Sequence, residues 1–337
     1  MTDSSSHKER SLIRISFQEP SSKSTVLSNV VMTFEPAYFR LLQSGELAYR
    51  AEEATKRMSC CDLCGHACKV DRNSQKPGVC RTGSLARMSS FGPHLGEEDP
   101  LRGWRGSGTV FFTRCNLKCQ YCQNYDISQS DAGQDVGAER LAAVMLELQA
   151  MGCHNINLVS PSHVVAAILS ALLIAARAGL HLPLVFNTGG YDSLEALRLL
   201  DGIIDIYMPD MKYADEQTGL RYSHVKDYPA INQLALREMY RQVGDLALDW
   251  NGLATRGLLV RHLILPNNLA GTAFITRFLA EEISRDTYLN LMDQYRPSYH
   301  ADQFPELNRP VSVEEYRIAL GETRASGLWR LDRGGLY

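Results

Sequence analysis

Three cysteines define the chemistry this chain can do: Cys115, Cys119 and Cys122, within Cys115-Asn116-Leu117-Lys118-Cys119-Gln120-Tyr121-Cys122. Thiolates at this spacing can wrap a small metal cluster from a single loop. Iron–sulfur clusters are held by cysteine thiolates, ordinarily one for each iron. A [4Fe–4S] cube held by three of them keeps one iron open, and an open coordination position separates a reactive metal site from a structural one. Outside the triplet the nearest cysteines are Cys80 and Cys153. The same spacing suits two plainer arrangements, a zinc knuckle completed from elsewhere or three unconnected core thiols. Clustered cysteines in an intracellular chain weight the choice toward the open cluster.

A second group precedes the first: Cys60, Cys61, Cys64, Cys68 and Cys80. The Cys61-x2-Cys64 pair resembles a metal knuckle, and Cys68 and Cys80 can complete four thiolates. Gly65, Pro77 and Gly78 supply tight turns around such an ion. Structural zinc and a second iron–sulfur cluster both fit, and unligated thiols remain the plain alternative. Cys60 is surplus to four ligands. Cys153 stands alone and is expected to be buried packing.

All nine cysteines fall between residues 60 and 153, in a sequence without a secretory leader pattern. This favours a reducing, cytoplasmic compartment and metal ligation over disulfides. A chain of 337 residues that is 45% apolar and 22% charged has the make-up of a globular protein. Its formal charge of −3 gives no electrostatic case for a nucleic-acid surface. The longest apolar run, Val164 to Ala176, contains Ser170 and ends at Arg177. It falls short of the roughly 20 residues a bilayer span needs, so no membrane span is expected.

The elements that must position these cysteines follow from periodicity. Residues 1–30 lack periodic apolar positions and are expected to be a disordered tail; Asp3, Glu9 and Glu19 argue against a transit peptide. Residues 31–105 read as an N-terminal helical and cysteine-rich module, with two helical segments between Glu35 and Met58 interrupted near Gly45. Residues 90–105, carrying His94, Glu97, Glu98 and Asp99, read as a polar, solvated connector; because they lead straight into the reactive strand, the alternative is that the charge run faces the active site. Gly103, Gly106 and Gly108 do not form a dinucleotide-binding G-x-G-x-x-G. From Gly106 a β-branched and aromatic strand runs to Thr113 and delivers the cysteine loop at its C-terminal end, where α/β barrels place chemistry. Further strands are expected at 155–159, 182–186, 204–208, 258–265 and 287–291, and helices at 138–151, 163–178, 192–200, 229–243, 272–284 and 313–325. This alternation predicts a parallel sheet covered by helices, because parallel strands need crossover connections.

The cysteine loop, with aromatic Tyr121 before its last cysteine, resembles the hallmark of the radical S-adenosylmethionine superfamily. Phe111-Phe112 and Gln123-Asn124 on either side make it more similar to the pyruvate formate-lyase activating enzyme group, and within it to homologues with an N-terminal cysteine module. The resemblance runs over about residues 35 to 325. It implies a (βα)6 partial TIM barrel over residues 106–330, open on one side. It also implies S-adenosylmethionine on the open iron and one electron from a low-potential flavodoxin or ferredoxin. The 5′-deoxyadenosyl radical so produced would take hydrogen from a substrate such as a glycyl-radical-type protein.

At the strand ends, Asn187-Thr188-Gly189-Gly190-Tyr191 resembles the segment near the adenosine ribose, and Asp210-Met211-Lys212 the family's Asp-x-Lys. Lys212 can pair with the methionyl carboxylate, with Asp210 fixing it. Arg261, within Leu259-Val260-Arg261-His262-Leu263, is too costly to bury unpaired and should face the barrel interior, gripping the same carboxylate. His262 then alternates to the opposite face as a core histidine. Met292-Asp293-Gln294-Tyr295 offers adenine or substrate contacts. Ser160-Pro161-Ser162-His163 stands where the superfamily commonly has Gly-Gly-Glu, and the hydroxyls of Ser160 and Ser162 are the expected substitutes for holding the methionyl amino group. A non-enzymatic iron–sulfur or zinc carrier would not need Asp210, Lys212 and Arg261; a maturase of another macromolecule would.

Overall fold

A computed structural model describes residues 34–74 and 78–332. The tail expected over residues 1–30 and the turn expected at Pro77 lie outside the described residues. Nine strands appear among those described: β1 (Ala86–His94), β2 (Ser107–Phe112), β3 (Gln134–Val136), β4 (Ile156–Val159), β5 (Leu184–Thr188), β6 (Ile206–Pro209), β7 (Ala247–Leu248), β8 (Ala254–Leu263) and β9 (Tyr288–Met292). They form one sheet in the order β3-β1-β2-β4-β5-β6-β8-β7, with β9 also pairing β8. The ladders from β2 through β4, β5, β6, β8 and β9 are parallel. These six strands are the six expected from the alternation of apolar runs, curved as a partial barrel. β1, β3 and β7 are antiparallel additions.

Alternation along each parallel strand sorts side chains into two environments, because successive residues point to opposite faces. Val110, Phe112, Leu158, Phe186, Tyr207, Leu258 and Val260 face outward into the main core, under helices such as Val165–Arg177. Val185, Ile206, Met208 and Leu259 face inward and make a small interior core. Leu101, from the short helix Asp99–Arg102, is fully buried in that same interior core. β1 ends at His94 opposite Ser107, the first residue of β2, so the segment joining them lies at the N-terminal end of the barrel strands. Leu101 therefore closes the barrel from below.

Two of the expectations for residues 31–105 are revised. The stretch 90–105 is not a solvated connector: its first part belongs to β1, and Glu98 is only 5% exposed. The revision is partial: Glu98, Pro100 and Leu101 are buried, while His94, Leu95, Gly96, Asp99 and Trp104 stay exposed. The helices Tyr38–Ser44 and Glu46–Arg57, broken at Gly45 with φ +82°, share the main core through Tyr38, Leu47, Ala51 and Ala54. Residues from Phe34 onward thus make one compact unit with the barrel. The helix Thr272–Phe278 passes into a π turn at Leu279–Ile283, and a helix at Glu216–Ser223 had no clear periodic signal.

Candidate active site

The cysteine loop leaves the C-terminal end of β2 and packs among aromatic rings. Tyr121 meets Tyr213 and Tyr295 edge-on, and Leu117 and Cys119 are buried in the same cluster. Each cysteine sulfur has a polar neighbour. The backbone N–H of Leu117 donates to Cys115 Sγ at 3.4 Å. The Ser223 hydroxyl donates to Cys119 Sγ at 3.0 Å, and the Ser128 hydroxyl stands 3.1 Å from Cys122 Sγ. Burial pushes the Cys119 thiol up to about 12, against the opposing charge of Lys212. Burial raises Cys115 as well, and the neighbouring Cys122 adds to it. Metal ions would displace those protons, as coordination of thiols requires.

Cys119 and Cys122 open onto a cavity of about 860 Å³. Its wall also carries Asn187, Asp210, Lys212 and Arg261 from the ends of β5, β6 and β8. Asp210 joins the two cations: Lys212 Nζ lies 2.6 Å from Oδ2, and Arg261 Nε lies 3.0 Å from Oδ1. Burial alone would raise the Asp210 carboxyl, but the charges of Lys212 and Arg261 outweigh it and hold the group at about 2. Lys212 and Arg261 are both driven above their ordinary values by the same carboxylate, despite burial. Three permanent charges thus stand together at the mouth of the barrel. His262, on the opposite face, is fully buried with Nδ1 at 2.7 Å from the Met211 carbonyl and Nε2 at 2.9 Å from Thr272 Oγ1.

The glycine pair after β5 serves close packing. A side chain on Gly189 would strike Leu117 Cδ1 at 2.8 Å and approach Lys212 Cε at 3.7 Å. Gly190 has φ +78°, and a Cβ there would meet the Asp210 carbonyl oxygen at 2.3 Å. Both therefore let the cysteine loop and the Asp210 backbone approach β5. Asn187 is the member of this segment on the cavity wall. Ser162 does not face the cavity: its hydroxyl is buried 2.9 Å from Thr188 Oγ1. Ser160 is likewise absent from the wall and adopts φ +58°. Met292 and Gln294 line the cavity, while Tyr295 turns away to donate to the Leu307 carbonyl.

The second cysteine group folds against the first. Gly65 N–H donates to the Tyr191 carbonyl, and His66 Nε2 lies 2.8 Å from the Asn116 carbonyl. Cys61, Cys64, Cys68 and Cys80 surround a small cavity of about 10 Å³ with His66 and His163. Burial raises the Cys64 thiol strongly, and the charges of Cys80, Cys61 and Cys68 add to it. Cys60 is exposed and outside this group, and Cys153 is buried. Among the described residues no three His, Cys, Asp or Glu side chains close on one point as a single-ion site would.

A partial α/β barrel with three thiols on its first crossover loop and an ion-paired carboxylate at the ends of the adjacent strands defines a class of metal-dependent enzyme. The chain belongs to the radical S-adenosylmethionine superfamily, whose profile (Radical SAM superfamily) matches residues 109–239, from β2 into the helix Tyr228–Val243. Over 286 residues it is 31% identical to the uncharacterized protein MJ0674 of Methanocaldococcus jannaschii, covering 81% of this chain and 77% of that one. Solved structures with similarity include HydG, a maturase of the [FeFe]-hydrogenase, at 14% identity and TM-score 0.42. That match covers 63% of this chain and 47% of HydG, so the chain spans about half of that protein. A radical SAM methyltransferase from Sphaerobacter thermophilus matches at 14% identity and TM-score 0.42, over 88% of this chain and 92% of that one. Membership implies a [4Fe–4S] cluster and S-adenosylmethionine, and the donor set, three thiols on one loop with Cys119 and Cys122 open to a charged cavity, fits both.

Two further features of the site, Ser128 and Ser223, escaped sequence reasoning, and the charge run at 97–99 faces the cavity as one of its two readings allowed. Ser128 and Ser223 sit against sulfurs from a following helix and a distant one. Glu97 and Glu98 line the cavity beside Arg261. Isolated serines carry no spacing signal, whereas a run of acidic residues before the reactive strand does.

Proposed function

We propose that Cys115, Cys119 and Cys122 hold a [4Fe–4S] cluster and that the chain cleaves S-adenosylmethionine reductively to initiate hydrogen abstraction from a substrate. Held there and reduced by a low-potential donor, such a cluster would supply the electron for cleavage of the sulfonium to methionine and a 5′-deoxyadenosyl radical. The chain's own residues orient and shield. Lys212 and Arg261 grip the methionyl carboxylate, and Asp210 holds both cations in place. Asn187 on the cavity wall is positioned to meet the nucleoside, with Gly189 and Gly190 setting the path of that segment. Tyr121 and its aromatic neighbours exclude water from the sulfurs. The observation that carries this reading is the opening of Cys119 and Cys122 onto one cavity with the Lys212–Asp210–Arg261 group.

The finer assignment, an activating enzyme with a glycyl-radical-type protein partner and a flavodoxin- or ferredoxin-type donor, is supported by Phe111 and Gln123-Asn124 on the cavity wall. The second group, Cys61, Cys64, Cys68 and Cys80, is proposed as a structural site for zinc or a second cluster, supported by its four thiols around one small cavity. Among the described residues no helix is long and apolar enough to cross a membrane.

The test is anaerobic reconstitution followed by dithionite and S-adenosylmethionine. The native chain should form 5′-deoxyadenosine, and Cys115→Ala, Cys119→Ala and Cys122→Ala should each lose the brown chromophore with that product. Cleavage retained in any of the three would remove the assignment. Iron, sulfide and zinc analysis of those same variants reads the second site separately: residual zinc marks a structural ion, and residual iron with sulfide marks a cluster.

A further inference from the structure

The charges lining the cavity do not balance in the way the cofactor reading needs. At the cysteine end Asp210 already neutralises part of Lys212 and Arg261. Glu97 and Glu98 line the same cavity next to Arg261, brought there by the segment joining β1 to β2. Glu98 Oε1 accepts from Asn290 Nδ2 at 2.8 Å and lies 4.0 Å from Arg261 Nη1. Its second oxygen, Oε2, is buried and has no hydrogen-bond partner. Glu97 Oε1 lies 3.6 Å from half-exposed His94 Nδ1, and its carboxyl is also close to Glu98 and Asn157. Next to Glu97, fully buried Asn157 points inward one pleat before Val159, with both its amide oxygen and nitrogen unpartnered.

Buried polar atoms are almost always paired, and a carboxylate oxygen left without a donor costs about 1–3 kcal/mol or more. Such a cost inside a functional cavity signals a group that arrives with the ligand. Burial, and then the neighbouring Glu98 charge, push the Glu97 carboxyl up to about 7 even with Arg261 opposing them. A positive donor fits best here, because among the described residues the only cation beside the two carboxyls is Arg261, which is already shared with Asp210. Arg261 stands between the two groups, with Nε 3.0 Å from Asp210 and Nη1 4.0 Å from Glu98, so the glutamates border the strand-end cations on the side away from Lys212.

Resting on the radical reading above, we propose that Glu97 and Glu98 form an acidic floor that seats a protonated amine of the substrate, with Asn157 completing its hydrogen bonds. The amine is either a free small molecule or a lysine side chain presented by a polypeptide. In both cases the hydrogen to be abstracted lies on the part of the substrate that extends from the floor toward the sulfurs.

The experiment uses the cluster-loaded full chain with saturating S-adenosylmethionine and no reductant, so that nothing turns over. Calorimetric titration compares putrescine with 1,4-butanediol, and a capped lysine tripeptide with its norleucine counterpart. At least tenfold tighter binding of one cation than of its neutral partner is expected, and whichever cation binds identifies the source of the amine. That preference should fall at least tenfold in Glu98→Gln and Glu97→Gln. Equal binding of cations and neutral partners to the native chain overturns the proposal without any variant. A cation preference that survives both substitutions also overturns it, because the charge is then seated elsewhere. So does a Glu98→Gln chain that loses S-adenosylmethionine affinity while keeping amine affinity, which would give the pair to the cosubstrate. Failure of the native chain to form 5′-deoxyadenosine on later addition of dithionite sinks the radical reading instead and leaves the amine titration legible.

Discussion

Asp210 is the residue on which two others depend. It is the shared carboxylate of Lys212 and Arg261, and all three side chains are mostly buried. Removing one partner of a buried ion pair leaves charge without compensation and costs about 3–5 kcal/mol. Asp210→Asn should therefore lower unfolding stability by about that amount in anaerobic denaturant titrations, and raise the S-adenosylmethionine dissociation constant as the two cations lose their fixed positions. An unchanged midpoint would mean the cations find other partners. Ser223 acts on a different property. Its hydroxyl donates to Cys119 Sγ, and hydrogen bonds to cluster sulfurs stabilise the more negative, reduced state. Ser223→Ala removes about 1 kcal/mol of such bonding. For a one-electron couple this lowers the reduction potential by roughly 40 mV. A redox titration followed by electron paramagnetic resonance measures the shift, and a potential that does not move denies Ser223 this role. The spacing of the three cysteines was legible in the sequence because their loop is local. The serines that address them come from other elements, so only the folded chain brings them near.

At the scale of elements, the segment between β1 and β2 has two uses. Leu101 fills the barrel from below among Val185, Ile206, Met208 and Leu259, while Glu97 and Glu98 line the cavity above. Leu101→Ala should cost about 2–5 kcal/mol, the usual range for emptying a fully buried leucine site. Because the same segment carries the two glutamates, that substitution should also weaken binding of the amine probes, whereas stability lost with amine binding intact would separate the two uses. The parallel strands were legible from short apolar runs alternating with helical patterns, each of the six being bracketed by its crossover. β1 was not. Only Ala86, Met88 and Phe91 of it pack on the core, and Ser89-Ser90 and Gly92-Pro93-His94 break the apolar alternation that marks a strand.

For the molecule as a whole, three buried carboxyls are raised rather than depressed. Burial pushes Glu97 up to about 7, Asp192 to about 6 and Asp205 to about 7. Unfolded, such groups titrate near 4, roughly. Between those values the folded chain binds more protons than the unfolded one, so stability falls as pH rises. The loss should run from about pH 4 up to about 7, the folded-state value of Glu97 and Asp205. Asp210 has the opposite sign: its contribution is present above the unfolded value and disappears only as pH drops toward about 2. Denaturant titrations of the cluster-loaded chain across this range should show declining stability toward neutral pH. Asp205→Asn, which removes a carboxylate bonded by the Ala37 and Leu184 N–H groups, should flatten that decline. A slope that is unchanged by the substitution would place the excess protons elsewhere.

Sequence alone determined the reactive loop, the order of parallel strands and crossover helices, and the inward placement of Arg261, because each depends on near neighbours or on a period of two. What the barrel's closure alone decided is which distant groups share its interior: Asp210 between Lys212 and Arg261, Ser223 on a cysteine sulfur, and the two glutamates on the floor. Those meetings join residues from separate strands and loops, and their energies come from burial in a common low-dielectric space, a quantity that exists only once the sheet has curved around it.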